Sequence, residues 1–134
     1  MIFMDQEFFS HEYLLRAVFP PWKRPKLWKK DGRTLTSAAF KDSRGGTSVD
    51  RTSDRSMEES VEYILGHLEG AIVSVSVPEC RSIPTHIEYC PSVNNIFHSE
   101  IRKSVKEEIL DDLQAKKLSD SAQIVHMPES EKSS

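Results

Sequence analysis

His98-Ser99-Glu100-Ile101-Arg102 sets an imidazole, a carboxylate and a guanidinium at every second position. In an extended chain that spacing puts His98, Glu100 and Arg102 on one face and Ser99 and Ile101 on the other. Such a face suits acid–base work. The imidazole titrates near neutral pH, the carboxylate orients it, and the guanidinium grips a phosphate or carboxylate. The plain alternative is a wetted strand face whose charges discourage edge pairing. A second His-x-Glu, His86-Ile87-Glu88, lies upstream. Paired as a hairpin, the two segments would bring two histidines and two carboxylates together, a set that suits zinc, manganese or iron. Neither has an established metal spacing, so no metal ligand and no cofactor is assigned.

Arg16 interrupts the apolar run Leu14-Leu15-Arg16-Ala17-Val18-Phe19. A charge there is costly unless it meets a carboxylate or an anionic ligand, or unless its stem packs at an edge with the head in water. Arg16 therefore joins His98, Glu100 and Arg102 as a candidate catalytic residue, with Arg16 or Arg102 as the anion clamp.

The densest binding signal is the stretch from Pro20 to Arg33, with three prolines, two tryptophans and six Lys/Arg against one acid. Lys23, Arg24, Lys26, Lys29, Lys30 and Arg33 would attract phosphates, and Trp22 or Trp28 could stack on bases. Arg44, Arg51 and Arg55 extend the patch, and Gly45-Gly46 would let backbone N–H groups approach an anion. Ser48, Asp50 and Arg51 are counted with this ligand-binding set. Alternatively the tryptophans fold back on the core and leave a wetted basic loop. The chain has no GxGxxG, no P-loop and no serine elbow.

These residues need elements to carry them. His11 to Phe19 reads as a first strand stopped by Pro20-Pro21, with a helix from Asp5 as the rival. Thr34 to Lys41 looks extended, Asp42 to Gly46 is a turn, and Thr47 to Arg51 could return as a hairpin partner. Ser56 and Glu59 form a capping box for a helix whose Met57, Val61, Ile64, Leu65 and Leu68 share one arc, with Gly70 as its stop. Ala71 to Val77 is a strand ended by Pro78. Thr85 to Cys90 and Ile96 to Arg102 read as strands around a turn. A second helix is expected from Ser104, boxed by Glu107, and Gln123 to Met127 adds a short last strand. The fold class is α+β: a single small domain with a mixed or antiparallel sheet of about five strands and two helices on one face.

Length and composition agree. At 134 residues the chain matches one domain of roughly 100–150 residues, expected over 1–128, with a frayed polar tail over 129–134. It is 37% hydrophobic and 29% charged, enough for a core. No run approaches the roughly 18 apolar residues of a membrane span. Met1 to Glu7 lacks the basic and apolar regions of a signal peptide. Cys80 and Cys90 have no CxxC or zinc-finger spacing; the expected location is cytoplasmic, where they are read as reduced, small buried thiols. The net charge of −3 hides an asymmetry: eleven Lys/Arg against seven Asp/Glu up to Arg55, and seven against fourteen from Ser56 onward.

Leu15-Arg16-Ala17-Val18, Thr36-Ser37-Ala38-Ala39-Phe40-Lys41, Ser48-Val49-Asp50-Arg51 and His98-Ser99-Glu100-Ile101 together resemble a family of small bacterial proteins of unassigned function. The resemblance runs from about Leu14 to Val125. It implies a bacterial cytosolic protein and carries no activity. A second likeness is to ADP-ribosyltransferases, which order an arginine or histidine, a serine-bearing strand and a late glutamate. Arg16, Ser37 and Glu100 stand in that order, with Thr36-Ser37-Ala38 in place of the family's Ser-Thr-Ser.

Three functions fit the sequence. The first is a binding module for nucleic acid or a nucleotide through the basic loop. The second is a small enzyme acting on a nucleotide or phosphoester through His98 and Glu100. The third is an accessory protein whose acidic half binds a partner protein. A membrane partner is not expected. The spatial question is whether Arg16, Ser48, Asp50, Arg51, His98 and Glu100 share one cleft.

Overall fold

A computed structural model describes residues 7–42 and 45–129 of the protein. Arg44, the rival helix start at Asp5 and residues 130–134 of the expected tail lie outside that range. Leu14-Leu15 begins a run with apolar residues at both parities, the pattern of a strand buried on both faces. That strand, β1 (Tyr13–Val18), lies inside the sheet. The others are β2 (Thr47–Arg51), β3 (Ala71–Ser76), β4 (His86–Tyr89), β5 (His98–Arg102) and β6 (Gln123–His126). Their order is β4-β5-β2-β1-β3-β6, with every pairing antiparallel. The described residues thus form a small α+β domain with six strands, one more than expected.

Helices cover both faces rather than one. α1 (Met57–Leu65) follows the Ser56/Glu59 capping box. It packs Ile64, with Met57 and Val61, on Leu15, Ala17, Ile72 and Val125. α2 (Val77–Ser82) and α3 (Asp112–Ser121) close the opposite face, where Leu14, Val18, Val49, Val73, Val75 and Ile101 meet Val77, Cys80, Ala115 and Leu118. Each fully buried aliphatic side chain contributes about 1.5–3 kcal/mol.

Four local expectations change. Ser37–Phe40 forms a single 3₁₀ turn instead of an extended strand. Its neighbour Thr36 accepts a 2.7 Å hydrogen bond from Ser119 Oγ on α3. β2 therefore makes no hairpin with that segment and pairs with β1 and β5. Ser104 and Glu107 form only a turn, and the helix starts at Asp112 under an Asp111/Gln114 capping box. α1 stops at Leu65, so Leu65 and Leu68 stay exposed.

Arg51 and Glu12 are both fully buried and paired on the α3 side of the sheet. Arg51 Nε donates to Glu12 Oε1 at 2.9 Å and Nη2 to Oε2 at 2.7 Å. The guanidinium also lies 4.4 Å from the Phe8 ring centroid and 4.9 Å from that of Tyr89. Glu12 accepts further from the N–H groups of Phe9 at 2.7 Å and Ser53 at 2.6 Å. Ser53 is held at a positive φ of 57°, a strained conformation for a residue with a Cβ. The carboxylate thus ties β1 to the exit of β2.

Removing one partner strands a charge in the core. Glu12→Ala is expected to lower the unfolding free energy by about 3–5 kcal/mol, read from urea unfolding. A loss below about 1 kcal/mol would place the pair among ordinary surface contacts.

Candidate functional site

Alternation along β2 sends Arg51 into the core and Asp50 to the other face. There Asp50 stands opposite His98, and Ser48 opposite Glu100. The Arg51 N–H donates to the Phe97 carbonyl at 2.9 Å. That makes Asp50/His98 and Ser48/Glu100 the close, non-hydrogen-bonded kind of antiparallel pair. The apolar side of α1 packs on this face over β1, β3 and β6, and its Tyr63 reaches the Phe97 ring, 5.1 Å between centroids. The step from the helix down to β2 and β5 is a groove of about 260 Å³, with Ser48, Asp50, Tyr63, His67, Asn95 and His98 around a floor that includes Leu15 and Ala17.

Asn95 is fixed from both ends. Its Nδ2 donates to Asp50 Oδ1 at 2.9 Å, and its Oδ1 accepts from the Phe97 N–H at 3.0 Å. His67 Nδ1 lies 2.8 Å from the Tyr63 carbonyl. A carbonyl only accepts, so Nδ1 carries the hydrogen and Nε2 is left open. Among the described residues nothing hydrogen-bonds Asp50 Oδ2 or the His98 ring. Arg55 stacks on Phe97, 3.3 Å from the ring centroid, and donates to the Arg51 and Thr52 carbonyls. Burial raises the Asp50 pKa and outweighs the Asn95 hydrogen bond and the charges of His98, Arg55 and His67, which lower it. A half-buried carboxyl with one free oxygen, beside an unbonded imidazole, can exchange protons with a bound molecule.

The other candidates are placed elsewhere. Glu100 shares the face but is held by Arg102, whose Nε donates at 2.9 Å. This pair lies over Gly46, where a Cβ would come within 2.8 Å of Glu100 Oε1. The glycine makes room for a carboxylate of the protein itself, not for an outside anion. Arg16 borders the groove, but its guanidinium bonds Asp42 at 2.8 Å and the carbonyls of Ala39 at 2.7 Å and Ser48 at 2.9 Å. Burial works against the Asp42 charge, yet the Arg16 and Ser48 hydrogen bonds outweigh it and keep its pKa below the usual value. Arg16, Ser37 and Glu100 do not meet: Ser37 opens the 3₁₀ turn, and Glu100 lies on the face Arg16 turns away from. Of the six residues posed as one cleft, Ser48, Asp50 and His98 share it, Glu100 and Arg16 adjoin it, and Arg51 is in the core.

His86 stands opposite Arg102 and Glu88 opposite Glu100, so β4 and β5 pair but their histidines do not converge. Among the described residues no three His, Cys, Asp or Glu side chains are grouped to hold a metal. Cys90 is a poor nucleophile beside His98, because burial and then the Glu100 charge push its thiol pKa up.

In the basic loop, Lys23, Arg24, Lys26, Lys29, Lys30 and Arg33 are exposed. Trp28 is buried and its Nε1 donates to the Phe19 carbonyl at 2.8 Å, so its ring is part of the core and offers no stacking face. Arg24 lies 4.9 Å from the Phe19 ring centroid, and Lys29 is 3.8 Å from Asp120. Asp31 braces the loop: hydrogen bonds from the Thr34 hydroxyl, then from the Arg33 and Thr34 N–H groups, bring its pKa down to about 2.

Sequence reasoning did not single out Tyr63, His67 or Asn95. His67 and Asn95 sit in a helix exit and a turn, and no local period marks such positions. Comparisons of the chain with protein-family models, curated proteins and solved structures found no match. No described helix is long and apolar enough to cross a membrane.

Because burial raises the Asp50 pKa on folding, the stability this group contributes is present at low pH and lost as pH rises through its folded value. Asp50→Asn is therefore expected to raise the melting temperature at neutral pH. The gain should vanish well below pH 3.8, the ordinary value of the group. A neutral-pH melting temperature at or below that of wild type contradicts this assignment.

Proposed function

We propose that the protein binds a small polar molecule in the groove between α1 and β2/β5, with Asp50 and His98 as a proton-exchanging pair. The observation that carries this reading is the meeting of a desolvated carboxyl with an unbonded imidazole in one concavity. Asn95 holds the carboxyl in place, and His67 Nε2 adds a second open nitrogen. The pair suits general acid–base chemistry, since a carboxyl and an imidazole can each give or take a proton. Arg16 and Arg102 serve this reading as braces, since carboxylates of the protein already hold both. The expected cytoplasmic setting stays with this proposal, and the two unpaired thiols Cys80 and Cys90 suit a reducing compartment; the bacterial origin rests on the sequence resemblance alone.

The test is an NMR screen of small polar fragments against wild type, Asp50→Asn and His98→Ala. Fragments are expected to shift the amides of Asp50, Asn95 and His98, and to lose that effect in both variants while the remaining spectrum is kept. Hits that map elsewhere, or that persist in both variants, contradict the reading.

A second reading rests on the loop of residues 20–35. We infer that its exposed cations form a fixed surface for a polyanion, either nucleic acid or a nucleotide. Trp28, pinned in the core and bridged to Leu35, supports that reading by holding the loop in shape. Fluorescence anisotropy with a single-stranded oligonucleotide should then show affinity falling steeply with salt, with a slope near 0.7 per phosphate neutralised. Binding that is flat in salt, or unchanged by Lys26→Ala with Lys30→Ala, removes it.

A further inference from the structure

The apolar arc of α1 does not end where the helix ends. Ile64 is buried, but Leu65 is 38% exposed and Leu68, past the helix, 56% exposed. Facing them across a second hollow, of about 590 Å³, are Phe19, itself 50% exposed, Pro20 and Trp22. His67 and Leu68 line both this hollow and the Asp50 groove, so the two are neighbours that share these side chains. Their chemistry differs. One end offers Asp50 Oδ2 and the His98 ring. The other offers an indole, a phenyl ring and two leucine side chains. Lys23, Glu69 and Glu129 put both signs of charge at the rim, and Phe19, Trp22, Leu65 and Leu68 supply the apolar surface of the outer hollow. Both hollows together have the size and the mix of lining usual for a small-molecule site, in which a few polar groups orient a mainly apolar body.

We propose that the ligand of the groove is amphipathic: a head that donates and accepts hydrogen bonds at Asp50 and His98, joined to an acyl or aromatic body that crosses Leu68 to lie against Trp22 and Phe19. This inference rests on the function proposed for the groove and names its ligand class. Leu68 is the threshold between the two subsites. Being exposed, it contributes little to the fold, so it can be changed without unfolding the domain.

A series of primary amides from acetamide to hexanamide, titrated into the labelled protein and followed by NMR, separates the two claims. All members are expected to shift Asp50, Asn95 and His98. The longer members should also shift Leu65, Leu68 and Gly70, and affinity should rise about three- to fourfold per methylene. Leu68→Asn should lower the affinity of hexanamide by a larger factor than that of acetamide, since Leu68 lines both hollows. An affinity independent of chain length, with shifts confined to the head residues, overturns the amphipathic ligand and leaves the groove reading intact. Chain-dependent shifts at Leu68 with none at Asp50 overturn the joined site. No shift at Asp50, Asn95 or His98 from any member overturns both.

Discussion

The buried Glu12–Arg51 ion pair sets the register of everything around it. Two opposite charges in a core are tolerated only with close geometry and full hydrogen bonding, and here the carboxylate accepts four bonds while aromatic rings flank the guanidinium. A strand shifted by one residue would send Arg51 to the open face and Asp50 into the core, with both charges stranded. The pair therefore fixes which face Asp50 occupies. The groove chemistry depends on a residue that never touches it.

A second constraint is the length of α1. Nine residues, capped at Ser56 and released at Gly66, pack their buried apolar side chains on β1, β3 and β6. The uncovered half of that face belongs to β2, β4 and β5, whose outward residues are polar. Buried on one side and wet on the other, these strands show the alternation that suits an antiparallel sheet with one solvated face. The step left by the helix is the groove. The neighbouring arginines that look like ligand clamps, Arg16 and Arg102, instead hold Asp42 and Glu100 and stiffen its border.

Much of this was legible in the chain. β3 showed itself by valines alternating with serines, and α1 by its capping box. The face of His98, Glu100 and Arg102 follows from period two alone. Pro78 was a weaker guide. Read as a strand terminator, it also opens α2 at a position where a missing N–H costs nothing, and Ser76 with Glu79 spelled a capping box around it. Ser37–Phe40 reads as extended by composition, yet packing against α3 folds it into a turn, because tertiary contacts override weak local preference. Trp28 looked like a stacking platform because its neighbours are cationic, while its ring is anchored in the core. In the site, Ser48, Asp50 and His98 were visible as types. Asn95 and His67 come from a turn and a helix exit, and only the three-dimensional path of the chain brings them to Asp50.

The claim on which the rest stands is that Arg51 is locked on Glu12 inside the domain. Hydrogen exchange at the Arg51 guanidinium, followed through its Nε–H resonance by NMR, reads this most directly. The account predicts that this hydrogen exchanges only on global unfolding, far more slowly than those of Arg24 and Arg33 in the exposed loop. Exchange at the same rate as those loop arginines would contradict it.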